Sequence, residues 1–301
     1  MDNTIRIGTR TSLLALRQTE LVSQALRAAA PEVVIQVEAR QTKGDKILGK
    51  PLQEFGGKGV FVSEFEQGIL EGRLDLAVHS AKDLPMDLEP GLSIVGVPKR
   101  EDPRDVLITA AGRPFPETGK IVVGTSSPRR ALQIGILGES LWPGAQVVCE
   151  NLRGNVQTRL DKLERGLYDV IILAAAGLKR LNLEADERYR YRYLDCGEFI
   201  PAGGQGIMAV EGVEGSPGAE VCGQISDPGT WRCLKLERRI LKLLGAGCHE
   251  PIGVYAQEQD GVMEVSGISR RGEQIYRIHL EGTFDQMEDM AEKAAKGLGG
   301  L

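Results

Sequence analysis

One cysteine lies in a segment whose composition predicts an accessible thiol: LLGAGCHEPIG, residues 243–253. Gly245 and Gly247 flank Cys248, and glycines let the backbone carry a neighbouring side chain out of a packed element. An accessible thiolate is a soft nucleophile and can serve as a covalent anchor. His249 follows directly and leaves open a cysteine and histidine hydrolase, although adjacent side chains point apart more often than they meet.

Arginines recur where a predicted strand gives way to a predicted helix. Arg10 lies in GTRTS, Arg129 and Arg130 follow GTSSP, and Arg153 lies in NLRGN. In an open α/β sheet such junctions share the carboxyl edge of the strands, where main-chain amides and helix dipoles attract anions. Guanidinium groups add paired hydrogen bonds to carboxylates. The set therefore predicts a local anion site, although any one of these arginines taken alone is typical of solvated surface.

The segment AVHSAKDLP, residues 77–85, begins as an apolar strand and ends in a turn that carries Lys82 and Asp83. A carboxylate at a strand end beside an arginine-lined crevice can transfer a proton or stabilise a cation, and it can also simply cap the turn. His79 on the strand is predicted to be a packed core histidine rather than a base. Ser80 and Lys82 leave open a serine and lysine nucleophile pair.

Other charged residues give weaker signals. The stretch GDKILGKP, residues 44–51, matches the frame of a phosphate-binding loop, but Pro51 supplies no hydroxyl for magnesium and disfavours helix at Lys50. Glycines around Lys58 in GGKG could expose amides to an anion or form a plain mobile loop. Arg159 and Arg180 lie within helical patterns and could be ordinary exposed charges.

Alternating strands and helices must position these residues. A βαβαβ pattern covers residues 4–97, and a second α/β set runs from KIVVG to YDVIILAA. The polar stretch KREDPRD separates the sets, and the segment DCGEFIPAGGQG indicates that the chain then turns back. We expect two α/β domains around a cleft and a small C-terminal α+β domain, divided as residues 1–98 with 198–217, residues 99–197, and residues 218–301.

Composition excludes several classes of protein. The 301 residues are 42% hydrophobic with a net charge of −5, which argues against general nucleic-acid binding, and they contain no apolar run near the roughly 20 residues of a membrane span. The start MDNTIRIGTR lacks the pattern of a secretory signal, so we expect a cytoplasmic protein. Five cysteines without a C-x-x-C pair and only three histidines predict no metal site.

Taken together, the motifs resemble those of the porphobilinogen deaminase family, also called hydroxymethylbilane synthases, over essentially the whole chain. The matching segments, in order, are GTRTSLLALRQ, GGKGVFVSEFE, DLAVHSAKDLP, REDPRD, GTSSPRR, NLRGNVQTRL, AAAGLKRL, AGGQG and GAGCHEPIG. The resemblance implies a transferase that adds four porphobilinogen units in sequence, each with loss of ammonia, and releases a linear tetrapyrrole by hydrolysis. It also implies that the first two domains are like a periplasmic anion-binding protein.

The same resemblance implies roles for individual residues. Cys248 would hold a dipyrromethane cofactor by a thioether, and Asp83 would be the catalytic carboxylate that stabilises positive charge at pyrrole nitrogens. The positions expected to bind cofactor or substrate carboxylates, or to line the same cleft, are Arg10, Ser12, Gln18, Lys58, Phe61, Lys82, Ser127, Arg129, Arg130, Arg153, Arg159 and Arg180. We expect that replacing Arg129 or Arg153 impairs chain elongation more than folding.

An alternative class is a non-enzymatic solute-binding module with the same two-domain cleft. It explains the arginines but gives no role to Cys248 or Asp83. The implied enzyme is expected to be a monomer that takes porphobilinogen as substrate and passes its product to uroporphyrinogen III synthase. The segment DERYRYRYLDC, residues 186–196, has no counterpart in the family pattern that assigns it a role.

Overall fold

The computed structural model describes residues 3–41, 62–116, 119–245 and 250–300. The helices are α1 (Leu13–Ala29), α2 (Ser63–Leu70), α3 (Pro128–Leu141), α4 (Val156–Glu164), α5 (Ala175–Arg180), α6 (Pro217–Gln224), α7 (Pro228–Leu243) and α8 (Met287–Gly297). The strands are β1 (Thr4–Arg10), β2 (Val34–Arg40), β3 (Leu76–Ser80), β4 (Ser93–Gly96), β5 (Asp105–Ala110), β6 (Gly119–Gly124), β7 (Ala145–Glu150), β8 (Val170–Ala174), β9 (Tyr189–Tyr193), β10 (Met208–Gly212), β11 (Ile252–Gln259), β12 (Val262–Arg271) and β13 (Gln274–Gly282). Within these ranges no helix is long and apolar enough to cross a membrane.

The first sheet has the strand order β2-β1-β3-β10-β4. Strand β1 runs parallel to β2 and β3, whereas β10 runs antiparallel to β3 and β4. Because β10 follows the whole second sheet in the sequence, the chain returns to the first sheet after completing the second. The carboxyl ends of β1 and β3 consequently share one edge, where Ser80 pairs with Met208 at the start of β10.

The second sheet repeats this plan in the order β7-β6-β8-β5-β9. Strand β6 is parallel to β7 and β8, and β5 is the antiparallel strand, with Asp105 opposite Ala174. The start of β5 therefore lies at the carboxyl edge of the parallel strands. The tyrosine-rich segment forms edge strand β9, whose Tyr189 is buried while Arg190 and Arg192 face outward.

The third unit is an antiparallel meander, β11-β12-β13, covered by α7 and α8. Its core joins Leu236 and Ile240 of α7 to Val254, Val265 and other buried apolar side chains of the sheet and α8. The fold class predicted from the sequence, two α/β domains followed by a small α+β domain, is confirmed by the three sheets. Helix α6 packs on the first sheet, where Cys222 lies in the core, so the first domain's core extends past residue 218.

A buried carboxylate ties the three units together. Glu237 of α7 is fully buried and accepts hydrogen bonds from Arg100 Nη1 at 2.7 Å, the Gly204 amide at 2.6 Å and the Ala256 amide at 2.8 Å. Arg100 lies in the polar connection between the first two domains, and its Nε also donates to the carbonyl of Gln205 at 2.9 Å. Both connections between those domains are thus attached to the third unit through one side chain.

Candidate functional site

Asp83 lies at the carboxyl edge of the first sheet. Strand β3 is apolar and buried as far as His79, and a single 3₁₀ turn at Ala81–Asp83 follows it directly. Leu84 is fully buried and fixes the turn from behind, which leaves Asp83 exposed on the cleft side. The sequence therefore places a carboxylate on a rigid strand end, the location expected of a group that meets a ligand.

The turn is held in place by the glycine-rich AGGQG segment. Gly204 has φ +75°, and a Cβ atom there would lie 2.9 Å from the main-chain nitrogen of Lys82. Gly206 has φ +85°, and a Cβ atom would lie 2.4 Å from the carbonyl oxygen of Glu101. Both positions require glycine because the left-handed backbone and the close approach exclude a side chain. The second interdomain connection is thereby packed against the turn that carries Lys82 and Asp83.

Lys82 is a half-buried cation beside Asp83. Burial lowers the pKa of its amine from 10.5 to about 8, an effect that Asp83 and Asp105 oppose and Arg129 and Arg130 reinforce. The charges of both domains therefore act on one amine, which brings the turn of the first sheet and the start of α3 into a single electrostatic site. An incoming carboxylate would favour the protonated form of Lys82.

Arg129 and Arg130 face a carboxylate that belongs to the protein. Arg129 Nη1 donates to Asp105 Oδ2 at 2.7 Å and to the Ile200 carbonyl at 2.7 Å, while Arg130 Nε and Nη2 donate to Asp105 Oδ1 at 2.9 and 2.7 Å. Burial would raise the pKa of Asp105, but the two arginines lower it to about 2. The side chain of Arg129 is 4% exposed and forms a buried ion pair, so its replacement should affect folding as well as any role in chain elongation.

Asp105 is the site residue that the sequence reasoning missed. It is fully buried at the head of β5, directly before the apolar run VLI. A carboxylate that begins an otherwise buried strand needs cationic partners, because an isolated buried charge is very costly. A carboxylate at the start of an apolar strand was therefore the sequence feature that could have revealed the ion pair. REDPRD contains the carboxylate, and GTSSPRR contains the two arginines.

Arg159 and Arg180 are not ordinary exposed charges, so that alternative is wrong. Arg159 is partly buried on α4, its Nε donates to the Gly154 carbonyl at 2.8 Å, and burial together with Arg130 lowers its pKa to about 10 against the opposing effect of Asp83. Arg180 is 8% exposed, and its Nη2 donates to the Gly206 carbonyl at 2.7 Å. Burial lowers the pKa of Arg180 to about 10 as well.

The predicted polar residues at strand ends also act as helix caps. Ser12 accepts a hydrogen bond from the Ala15 amide at 3.3 Å at the start of α1, and Ser127 accepts one from the Arg130 amide at 3.4 Å at the start of α3. Arg10 ends β1, and Arg153 lies in the segment before α4. These four residues place three junctions at the carboxyl edges of the two sheets.

Gln18 and the serine of the AVHS segment form a pair of their own. Gln18 is buried on α1, and its Nε2 donates to Ser80 Oγ at 3.0 Å. Ser80 is therefore bonded to Gln18, and the hydrogen bonds of its hydroxyl do not favour a serine and lysine nucleophile pair. His79 is 8% exposed with its Nε2 3.1 Å from Glu211 Oε2, which confirms the predicted core histidine.

Three predicted site residues lie outside the described residues: Lys58, Phe61 and Cys248. The described chain resumes at Glu250, whose carboxylate pairs with Arg271 Nη1 at 2.9 Å on β12. Among the cysteines that the structure does describe, burial raises the pKa of the Cys196, Cys222 and Cys233 thiols to about 12.

The charge balance of the site suits an acidic ligand. Within the described ranges, the cations Lys82, Arg129, Arg130 and Arg159 influence one another across the domains and face two carboxylates, Asp83 and Asp105. Burial lowers the pKa values of Lys82 and Arg159, and a neighbouring anion would oppose that effect. A ligand with several carboxylates, such as a pyrrole that bears acidic side chains, would complete the balance.

Comparison with known proteins was made against family models, curated sequences and solved structures. The model "Porphobilinogen deaminase, dipyromethane cofactor binding domain" matches residues 5–219, and the model of the porphobilinogen deaminase C-terminal domain matches residues 231–299. Porphobilinogen deaminase of Syntrophobacter fumaroxidans is 43% identical over 94% of this chain and 90% of its own length. Porphobilinogen deaminase of Acetivibrio thermocellus is 40% identical over 97% and 96%.

Among solved structures, the substrate-binding domain of a molybdenum ABC transporter from Clostridium difficile is 13% identical. It covers 74% of this chain and 90% of its own, with a TM-score of 0.42. The family models and the sequence relatives agree with the motifs and favour an enzyme over the solute-binding alternative. The chain belongs to the porphobilinogen deaminase family, enzymes of tetrapyrrole synthesis with a dipyrromethane cofactor.

Proposed function

We propose that this protein is a hydroxymethylbilane synthase, a transferase that joins four porphobilinogen units with loss of four molecules of ammonia and releases the linear tetrapyrrole by hydrolysis. The observation that carries the proposal is the cluster of cations, Lys82, Arg129, Arg130 and Arg159, around an exposed carboxylate at the end of β3. Porphobilinogen has carboxylates that can pair with these cations. It also has an amino group that would leave as ammonia beside the carboxylate of Asp83.

Asp83 is the proposed catalytic residue. Its carboxylate is exposed to the cleft, while Lys82 and Arg159 lie close enough for its charge to raise the pKa of each. A fixed negative charge there accepts a hydrogen bond from a pyrrole N–H and stabilises the cation that develops as ammonia leaves. Bound dipyrromethane would supply the pyrrole carbon to which the first unit is joined, and each later unit would be joined to the end of the growing chain.

The cations of the cleft are proposed to orient the carboxylates of substrate and cofactor. Lys82, Arg159 and Arg180 have lowered pKa values because burial disfavours their charge, and contact with a carboxylate reverses that effect. Arg129 and Arg130 already pair with Asp105, which fixes their side chains in position. They would therefore bind a substrate carboxylate through their remaining N–H groups. The other proposed contacts are Arg10, Ser12, Gln18, Lys58, Phe61, Ser127 and Arg153.

Cys248 is the proposed attachment point of dipyrromethane through a thioether. Burial raises the pKa of all four described cysteines, so none of them is prepared to supply a thiolate near neutral pH. Support for Cys248 comes from its place in the GAGCHEP segment that matches the family pattern.

The intact mass of the purified protein tests this assignment. We expect the mass to exceed that of the sequence by two linked pyrrole units, because a thioether survives denaturation. Limiting porphobilinogen should add a ladder of single-pyrrole increments, and peptide mapping should place the added mass on GAGCHEP. Cys248→Ser should lose the adduct, whereas the control Cys149→Ser should keep it. An active enzyme of unmodified mass, or an adduct on Cys149, would refute the anchor.

Several finer assignments belong to the same proposal. We propose a monomer in the cytoplasm that passes its product to uroporphyrinogen III synthase. We also propose the domain division given above with one change: the third domain begins at α7 rather than at residue 218, because α6 packs on the first sheet. Size-exclusion chromatography with light scattering tests the monomer, and a dimer that persists on dilution would contradict it.

A further inference from the structure

A cavity of about 570 Å³ lies between the first and third domains, apart from the candidate site. One wall is the loop and strand at residues 86–94, the other is α7, and Met287 at the start of α8 closes one side. None of the described residues proposed above to bind substrate lines it. Its volume is within the range of pockets that hold small organic ligands.

The floor of the cavity is apolar and includes an aromatic ring. Leu88, Leu92, Ile94 and Leu234 supply aliphatic surface, and Trp231 of α7 is only partly buried there. A partly exposed tryptophan beside aliphatic side chains offers a flat surface on which another ring can stack. The lining therefore favours a ligand with a flat apolar body.

The rim of the cavity on α7 is basic. Lys235, Arg238, Arg239 and Lys242 all line it, and their spacing of three, four and seven residues puts them on one face of the helix. Two acidic residues, Asp87 and Glu89, line the opposite wall, so the described lining has four basic and two acidic side chains. Lys242 pairs with Asp87 at 2.7 Å, and Arg239 pairs with Glu288 of α8.

Lys235 joins the basic rim to the aromatic floor. Its Nζ lies 5.5 Å from the centre of the Trp231 ring, and the described residues show no acidic partner for it. A cation held over the edge of an apolar floor can pair with an acidic group while the rest of the ligand lies on the ring. Together, the lysine and the ring favour a ligand that is both negatively charged and flat.

We propose that this cavity is a second ligand site, which binds a flat aromatic molecule that carries a carboxylate or sulfonate group. The aromatic body lies against Trp231, and the acidic group contacts Lys235 and Arg239. Arg238 in the same wall donates to the carbonyls of Pro85 and Met86 at 2.6 and 2.9 Å, directly after the Asp83 turn. A ligand there would link the third domain to the segment that carries the catalytic carboxylate.

The test uses 8-anilinonaphthalene-1-sulfonate and the full-length, cofactor-loaded protein. We expect saturable binding of one probe per chain, with energy transfer from tryptophan to the probe. The chain has two tryptophans, so Trp231→Phe should remove most of the transfer and the matched variant Trp142→Phe should keep it. Lys235→Glu and Arg239→Glu should each weaken binding about tenfold, since an attraction becomes a repulsion.

Two control variants keep the result specific. Lys293→Glu makes the same charge change on the exposed face of α8, away from the cavity, and should leave binding unchanged. Arg159→Leu, in the substrate cleft, should also leave it unchanged. Equal binding by Lys235→Glu and Lys293→Glu, loss of binding in Arg159→Leu, or transfer that depends on Trp142 would each overturn the proposal.

Discussion

Lys82 should make substrate affinity depend on pH above about 8. The amine titrates near that value in the ligand-free protein because burial disfavours its charge. The difference from its ordinary value of 10.5 corresponds to about 3 kcal/mol in favour of the neutral form. A substrate carboxylate reverses this preference, so binding above pH 8 must first return a proton to Lys82.

The sign of the effect follows from that linkage. Below pH 8 the free protein already carries the proton, and affinity should not change with pH on account of Lys82. Above pH 8 the KM for porphobilinogen should rise about tenfold for each pH unit, until the pKa of Lys82 in the complex is reached. The folded state should respond in the opposite direction: its stability should rise as pH increases from 8, because the buried charge is lost.

Two variants separate Lys82 from other titrating groups, the substrate's own amine included. Lys82→Arg keeps a positive charge throughout the range, so the rise in KM that begins near pH 8, here called the break, should disappear. Lys82→Met should bind more weakly at pH 7 and show no break. The assay is the pH dependence of KM from 6.5 to 9.5 on cofactor-loaded enzyme, with proton uptake measured by calorimetry in two buffers. A break that is unchanged in Lys82→Arg would refute the reasoning.

Three further changes have expected outcomes. Asp83→Asn should keep the fold and the covalent adduct but slow ammonia release by about 10² to 10³-fold in kcat, as loss of one charge-stabilising group does; a near-normal rate would contradict its role. Arg129→Leu should lower the free energy of unfolding by about 1 to 3 kcal/mol, because Asp105 loses one of its two cationic partners and the buried Ile200 carbonyl loses a donor; the exposed Arg192→Leu is the control in the same urea titration. Glu237→Gln should cost a similar amount, since Arg100 loses a buried countercharge, and a change below 1 kcal/mol would show that the three domains do not depend on it.

Local pattern was sufficient to predict the framework of the site. Strands that give way to helices are present where the pattern predicts them, and Ser12, Ser127 and Asn155 each accept an amide hydrogen bond as the N-cap of the helix that follows. The position of Asp83 at a strand end follows from the apolar run before it. These features depend on neighbours within a few residues, which is why the sequence reveals them.

Features set by distant pairs were not predicted. Arg129 and Asp105 are 24 residues apart, and Arg100 and Glu237 are 137 residues apart. Whether an arginine faces solvent, a buried carboxylate or a ligand depends on which strands meet at the cleft, and no local periodicity encodes that choice. Arg159 and Arg180 illustrate the difficulty, because their helical patterns look the same whether their guanidinium groups are exposed or buried.

The cations of the cleft fall into two groups with different consequences. Arg129 and Arg130 share the single carboxylate of Asp105, whose low pKa keeps it charged at any physiological pH, so their positions do not depend on a ligand. Lys82 and Arg159 have lowered pKa values because burial disfavours their charge, and Asp83 acts on both in the opposite direction. An internal carboxylate thus fixes two of the arginines, and the proposed substrate carboxylates would meet Lys82 and Arg159. A protein with a net charge of −5 can in this way bind a polyanion, because the positive charge is concentrated where two sheets present their carboxyl edges.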